Sequence, residues 1–530
     1  MATLAQDEKT DHLNTQEYET NIHEVVQAAL NLKNRPFSRR MVQLYFMCLI
    51  PFFCSTLNGF DGSLMSSINA MPYYQRYFGL SGAGASTGIV FAIYNVGSIA
   101  SVPFSGPLND YAGRKWGIFV GCAFVIIGTL IQGPSTNSGM FLGGRFILGL
   151  GVGFCAVAAP MLVAELSPPQ YRGTITGLYN CLWYVGSILA SWVAYGTQYI
   201  QSDNSWRIPL WCQLIFSALA ICGVWFIPES PRWLMAHDRH EQAKAFLTKY
   251  HGEGDPNHPL VVLQMYEMQA QISQEGFHNQ QKWWNYSGLV NKRSARRRLI
   301  CVVGMGFFGQ YSGNAVISYF FPVVIGIAGI HSSATQLLLN ALNPVFSLFA
   351  ACCGAYLIER FGRRPLLLTT TACFPIIYLV MFGTSYVAVN QGSLGAAYVT
   401  IVACYLFGVI FSVGWTPLQA LYPVECLPTE TRAKGNAIQS LTSGIASFIG
   451  QYGGGTALGR ISYWYYLFFV FWDMFEFAVI YWFFPETKER TLEELNDIFE
   501  AKNPVKASLQ KRTANQLSHN IKRDEADDIS

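Results

Sequence analysis

The sequence predicts an all-α membrane protein with twelve transmembrane helices, and three observations carry that prediction. Only 13% of the 530 residues are charged, while 51% are hydrophobic and 15% aromatic; soluble chains average about 25% charged residues. Apolar stretches near the ~20 residues that span a bilayer recur twelve times. Those stretches fall into two groups of six that carry the same charged signatures in the same order.

The spans are expected near 41–68, 87–108, 116–134, 140–164, 175–200 and 208–227 in the first half. In the second they are expected near 299–325, 335–357, 366–388, 396–423, 436–458 and 463–484. This gives a polar N-terminal tail (1–40), a six-helix bundle (41–228), a central loop (229–298), a second bundle (299–485) and a polar C-terminal tail (486–530). The loop contains HEQAKAFLTKYH and ends in KRSARRR, which reads as a set of short surface helices. The N-terminus lacks a basic segment followed by an apolar one, so no cleavable signal peptide is expected. The 13 cysteines lie almost all in apolar stretches, which is packing usage rather than a disulfide framework or a CxxC metal site.

Basic residues fix the expected orientation. With twelve spans both termini share a side. All Lys and Arg except Arg76, Arg145, Arg207 and Arg460 fall on it, so both termini are expected in the cytoplasm. The Asn-x-Ser triplet at Asn285 then lies in the cytoplasm and stays unglycosylated.

GPLNDYAGRK follows the second span and GAYLIERFGRR the eighth, giving Asp110, Gly113, Arg114, Lys115 against Glu359, Gly362, Arg363, Arg364. Glu165 precedes Arg172 by seven residues, and Glu425 precedes Arg432 by seven. Pro228-Glu229-Ser230 closes the first half and Pro485-Glu486-Thr487 the second. Such a parallel repeat places a substrate site near the midplane between the two halves. The positive-inside rule explains the basic residues but not the acids. We therefore expect cytoplasmic ion pairs of Asp110, Glu165 and Glu229 with Arg114, Arg172 and Arg232. Glu359, Glu425 and Glu486 would mirror them with Arg363 and Arg432, as a gate.

GPLNDYAGRK and LIERFGRR resemble the signature loops of the major facilitator superfamily. GRFILGLGVGF, VAELSPPQYRG, PESPRWL and PETKERTLEEL resemble its sugar porter family, over roughly residues 40–500. FFGQYSGNAVISYFFP, WRIPLWCQ and KYHGEGDPNHP are similar to the fungal lactose permease and cellodextrin transporter branch. The resemblance implies the major facilitator fold, with two six-helix bundles and cytoplasmic helices in the central loop. It also implies alternating-access transport of a small sugar, often with protons, by a monomer in the plasma membrane. No cofactor and no nucleic acid are implied. No phosphate-binding G-x-x-x-x-G-K-[ST] loop is present.

The resemblance assigns residues as well. Asp61, in NGFDGSLM, matches the acid of proton-coupled sugar porters, and Arg145 matches the arginine that pairs with it. A lone ionised Asp at a helix centre costs ~3 kcal/mol, so it needs a partner or a proton. Gly59 and Gly62 beside it read as positions where another helix comes close. In the seventh span Gln310 and Tyr319 match sugar-site positions, while Asn314 stands one residue early, rotated by ~100° on a helix. Ser187 and Ala420 stand where hexose carriers place a glutamine and a tryptophan, with Trp415 and Gln419 close to the latter. Smaller residues there favour a disaccharide or other glycoside; hexose, pentose, polyol or quinate, carried with or without protons, remain alternatives. Asn180 with Trp183, and Asn340 with Asn343, are either sugar contacts or interhelical hydrogen bonds. Asp473 and Glu476 share a face of the twelfth span and read either as functional or as a buried polar network. A sensor is a further alternative, but the tail after Pro485 has only 45 residues. No nucleophile–base or metal-spaced histidine pattern supports an enzyme.

Overall fold

The computed structural model describes residues 37–80, 82–278, 287–488, 490 and 492–510. Asn285, residues 1–36 of the N-terminal tail and residues 511–530 of the C-terminal tail lie outside them. The described residues form helices and no strand. The first half contains α1 (Arg39–Asn69), a short α2 (Pro72–Phe78), α3 (Ala85–Tyr111), α4 (Arg114–Gln132), α5 (Ser138–Leu166), α6 (Pro169–Thr197) and α7 (Asn204–Gly223). Local chemistry marks several starts. Ser38 accepts a hydrogen bond from the Met41 amide, and Asn137 from the Met140 amide; both are side-chain N-caps. Pro169 opens α6, where a missing N–H costs nothing.

The central segment folds into α8 (Pro231–Ala236), α9 (His240–Tyr250) and α10 (Pro259–His278). The second half contains α11 (Arg293–Tyr311), α12 (Asn314–Tyr319), α13 (Phe321–Ile327), α14 (Ser333–Phe361), α15 (Arg363–Gln391), α16 (Leu394–Cys426), α17 (Thr429–Ile461) and α18 (Trp464–Phe483). Two short helices follow, α19 (Leu492–Glu500) and α20 (Pro504–Ser508). Helices occupy all twelve expected positions, and ten are long and apolar enough to cross a membrane. The fifth and eleventh, α6 and α17, are long but rich in Gly, Ser, Thr and Asn, which lowers their hydropathy.

Two expectations need correction. The basic run ending the central loop belongs to α11, which starts at Arg293. Its arginines hold helix ends, where orphan carbonyls and the negative pole of the dipole favour cations. Arg298 donates to the Cys426 carbonyl at the end of α16 (2.9 Å) and Arg297 to the Phe499 carbonyl of α19 (2.9 Å). The seventh span is not one helix but three pieces, broken at Ser312–Gly313 and at Phe320. Gly313 has φ +79°, and a Cβ there would meet the Tyr378 hydroxyl, so the break requires glycine.

The chain divides into two compact units. One holds the described residues before Asn285 with Ala315–Leu348 and Ser447–Ser462; the other holds the remainder. In the first unit a core of Leu44, Cys48, Phe52, Ile118, Ala158, Leu162 and Val163 runs into Trp233, Phe246 and Leu247 of the central helices. Buried His251 ties those helices to α5: Nε2 lies 3.0 Å from the Leu166 carbonyl and Nδ1 2.7 Å from Gln264 Oε1. Burial pushes the His251 pKa below its usual 6.5, against those two hydrogen bonds. A folded pKa below the unfolded one gives stability that is present above pH 6.5 and lost as pH falls. Tryptic cleavage after Lys244 and Lys249, normalised at each pH to cleavage of a free peptide, should therefore become faster as pH falls below 6.5. The change should be smaller in His251→Gln; equal acceleration in both would refute it.

In the second unit α15 packs along α16 and α18. Tyr422 lies flat on Phe484 at 5.4 Å and donates to the Pro485 carbonyl at 2.8 Å.

Candidate functional site

The first unit brings Asp61 of α1 and Arg145 of α5 together. Arg145 Nη1 lies 2.7 Å from Asp61 Oδ1, with the two side chains 3% and 1% exposed. The guanidinium also sits over the Tyr94 ring at 5.1 Å, a cation–π contact. Tyr94 in turn donates to Asn58 Oδ1 at 3.2 Å. Asp61 Oδ2 is buried and has no hydrogen-bond partner among the described residues. The carboxylate thus has one oxygen committed to the cation and one open to a proton.

Glycine lets α6 approach this point. A Cβ on Gly59 would overlap the Trp183 carbonyl, and one on Gly62 would touch the Trp183 indole at 3.5 Å. Gly186 meets the Thr56 carbonyl in the same way. Ser187 is buried and hydrogen-bonds the Ser63 hydroxyl, so it joins α6 to α1. Asn180 and Trp183 are half-buried on the same helix.

Tyr319, from α12, reaches the same region. Its ring meets Phe91 edge-on at 6.0 Å, and its hydroxyl lies in electrostatic reach of Asp61, Arg145 and Gln451. Gln451 accepts from Asn95 at 2.7 Å. Gln451 and Asn95 have no motif to mark them; Asn95 is the one side-chain amide of its apolar stretch, while Gln451 shares its stretch with Asn436 and Gln439. Asn340 donates to Ser67 at 2.9 Å, which is the interhelical reading of that residue. Asn343 is half-buried with its Oδ1 unpaired.

In the second unit Gln310 is the penultimate residue of α11, and Asn314 begins α12 after the break. Gln419 packs against Gly309, and its carbonyl accepts from Gln439 at 2.6 Å. Trp415 is fully buried and donates to Thr371 at 3.2 Å, so its indole belongs to the bundle core.

The repeated charged signatures assemble twice. Arg114 pairs with Glu165 at 3.0 Å and lies 3.9 Å from Asp110. Arg363 pairs with Glu425 at 2.8 Å. The expected pairing of Glu229 with Arg232 is not the one formed. Glu229 instead accepts from the backbone amides of Arg114 (3.1 Å) and Lys115 (3.2 Å), and Glu486 from those of Arg363 and Arg364 (3.0 Å each). Each acid caps the first turn of a helix, where orphan amides and the positive dipole end attract it. Burial raises the Glu229 pKa, opposed by the Ser230, Lys115 and Arg114 amides. Arg232 is exposed, Arg172 lies in electrostatic reach of Glu165 and Glu267, and Arg432 donates to the Leu427 carbonyl. The Glu359 side chain lies outside the described residues.

Cys54, Cys122 and Cys155 bring their sulfurs within 4.8 Å of one another, all buried. Structural zinc sites use four ligands, and these three thiols come from α1, α4 and α5, with Cys155 packed against Gly121 as a small apolar side chain would be.

The family described as "Sugar (and other) transporter" matches residues 47–499. The low-affinity glucose transporter HXT3 of Saccharomyces cerevisiae is 27% identical over 473 residues, covering 86% of this chain and 82% of that protein. The high-affinity glucose transporter of Kluyveromyces lactis is 28% identical, covering 86% and 85%. The MFS-type transporter criB of Aspergillus cristatus is 25% identical, covering 88% and 95%. The inward open xylose transporter XylE from E. coli superposes with a TM-score of 0.68 at 21% identity, covering 86% of this chain and 100% of that one. Its partially occluded form gives 0.69 at 19%, covering 84% and 100%. The fold is theirs, and the match to the family covers most of the sequence: the chain is a multi-pass membrane protein that belongs to the sugar transporter family of the major facilitator superfamily.

Proposed function

We propose that this transporter takes up a disaccharide or other glycoside together with a proton, by alternating access in the plasma membrane with both termini cytoplasmic. The buried Asp61–Arg145 pair, with Asp61 Oδ2 unpaired, is the observation that carries the proton. Protonation at Oδ2 would neutralise the carboxylate and weaken its hold on Arg145, which keeps the Tyr94 face as its remaining partner. Two states of α1 against α5 then differ in proton affinity, which is what a coupled carrier requires. Sugar hydroxyls and ring faces suit the amide, hydroxyl and aromatic groups of Asn180, Trp183, Tyr319 and Asn343 in the first unit. Gln310, Asn314 and Gln419 supply the same chemistry in the second. The pairs Arg114–Glu165 and Arg363–Glu425 act as cytoplasmic gate elements.

The glucose transporters among the relatives favour a second reading, a hexose carrier. Uptake of labelled lactose, cellobiose and glucose with simultaneous pH recording, in yeast lacking hexose carriers, separates the two. Disaccharide uptake with alkalinisation of the medium is expected. Fast glucose uptake without disaccharide uptake would overturn the cargo, and sugar uptake without a pH change would overturn the coupling.

A further inference from the structure

The membrane-embedded part of the second half holds two acids and no base. Between Leu299 and Ile330, and between Pro365 and Val424, no Asp, Glu, Lys, Arg or His occurs; the Trp464–Phe483 helix contributes Asp473 and Glu476. Both are fully buried, on the face of α18 opposite the exposed Phe471, Met474 and Phe475. Both oxygens of Asp473 and Oε2 of Glu476 lack a hydrogen-bond partner among the described residues. Two further buried polar atoms at this site are also unpartnered, the hydroxyls of Tyr378 and Tyr466. Tyr466 lies on the same face of α18 two turns before Asp473. The Tyr378 ring lies on Phe469 at 5.1 Å, one turn before Asp473, and the residue is in electrostatic reach of Asp473. Tyr378 of α15 is the titratable group in reach of Asp473, and Cys404 of α16 with Tyr465 and Tyr466 of α18 stand around Tyr378 in turn; Glu476 faces Asp473.

Two carboxylates three residues apart, out of water and without a cation, repel each other and lose their hydration. A proton on the pair removes that cost and turns an orphaned oxygen into a donor for its neighbours. Both acids lead to the break in the seventh span. Glu476 accepts from Trp472 Nε1 at 2.6 Å, and the Trp472 ring meets Tyr311, the last residue of α11, at 5.4 Å. Asp473 leads through Tyr378, whose hydroxyl fills the space a Cβ on Gly313 would need.

We propose that Asp473 and Glu476 form a second protonation site of this carrier, which holds a proton at neutral pH and is joined through Tyr378 and Trp472 to the break at Ser312–Gly313. Its place in the transport cycle rests on the proton-coupled reading above; the proton itself does not. Infrared difference titration of the full chain in lipid nanodiscs, without sugar, reads it directly. A carboxylic-acid carbonyl band present at pH 7 should be lost in Asp473→Asn/Glu476→Gln and retained in Asp61→Asn. Asn and Gln imitate the neutral acids, so folding should survive. Tyr378→Phe, which leaves both acids in place, should shift the band in frequency. An unchanged band in the double variant would overturn the proposal, as would a band unmoved by Tyr378→Phe. Failure of sugar-evoked pH changes alongside these band changes would instead count against the coupling.

Discussion

Asp61→Asn should abolish sugar-evoked proton uptake and concentrative accumulation while leaving sugar exchange across the membrane measurable. The amide keeps the shape of the acid and can still meet Arg145, but it has no proton to gain or lose. Arg145→Ala should do more harm. It leaves Asp61 buried without its cation, and breaking a buried pair from one side costs ~3–5 kcal/mol. Surface expression and melting temperature should fall most in Arg145→Ala, which also removes the buried side chain, and less in Asp61→Asn, where the amide and the Tyr94 face still hold the cation. Accumulation ratios at two external pH values, with counterflow as the control, check the pair. Retained concentrative uptake in Asp61→Asn would remove this residue from the coupling.

Gly59→Val should cost more stability than other single changes in α1. The new side chain would meet the Trp183 carbonyl, a backbone atom that moves only if α6 moves. Overpacking a dense interior costs ~1–3 kcal/mol, and a clash with backbone belongs at the upper end. It would also part Ser63 from Ser187. The check is thermal unfolding in detergent with Gly106→Val beside it, since nothing lies within 4 Å of a Cβ on Gly106. Equal melting temperatures for the two variants would show that α1 and α6 separate freely.

The Asp61–Arg145 pair was legible in the sequence because an ion within an apolar span has few ways to exist. Its partner came from the family resemblance, in which Arg145 stands at the position of the arginine that pairs with this acid. The close approach at Gly59 was legible for a similar reason, since two glycines flank the acid. The family and its fold were legible because the charged signatures recur at fixed spacing. What escaped was whatever depends on backbone atoms or helix rotation. Glu229 and Glu486 were matched to arginine side chains, but their partners are amides, which every residue carries and no motif displays. Trp415 and Gln419 are one turn apart on α16, yet one faces the core and the other α11. The split of the seventh span at Ser312–Gly313 hangs on the Tyr378 hydroxyl, brought there from α15. Gln451 and Asn95 lie 356 positions apart and became a pair only once folded.

The matched carboxylate caps have a consequence for any study of asymmetry in this carrier. Glu229 and Glu486 grip corresponding amides, at 3.1 and 3.2 Å in one half and 3.0 Å twice in the other. The chain therefore carries its own internal replicate. The same bond can be cut once in each half, with the other copy as reference. A difference in transport between the two cuts then reports on how unequally the halves share the work of the cycle, rather than on the strength of the bond removed.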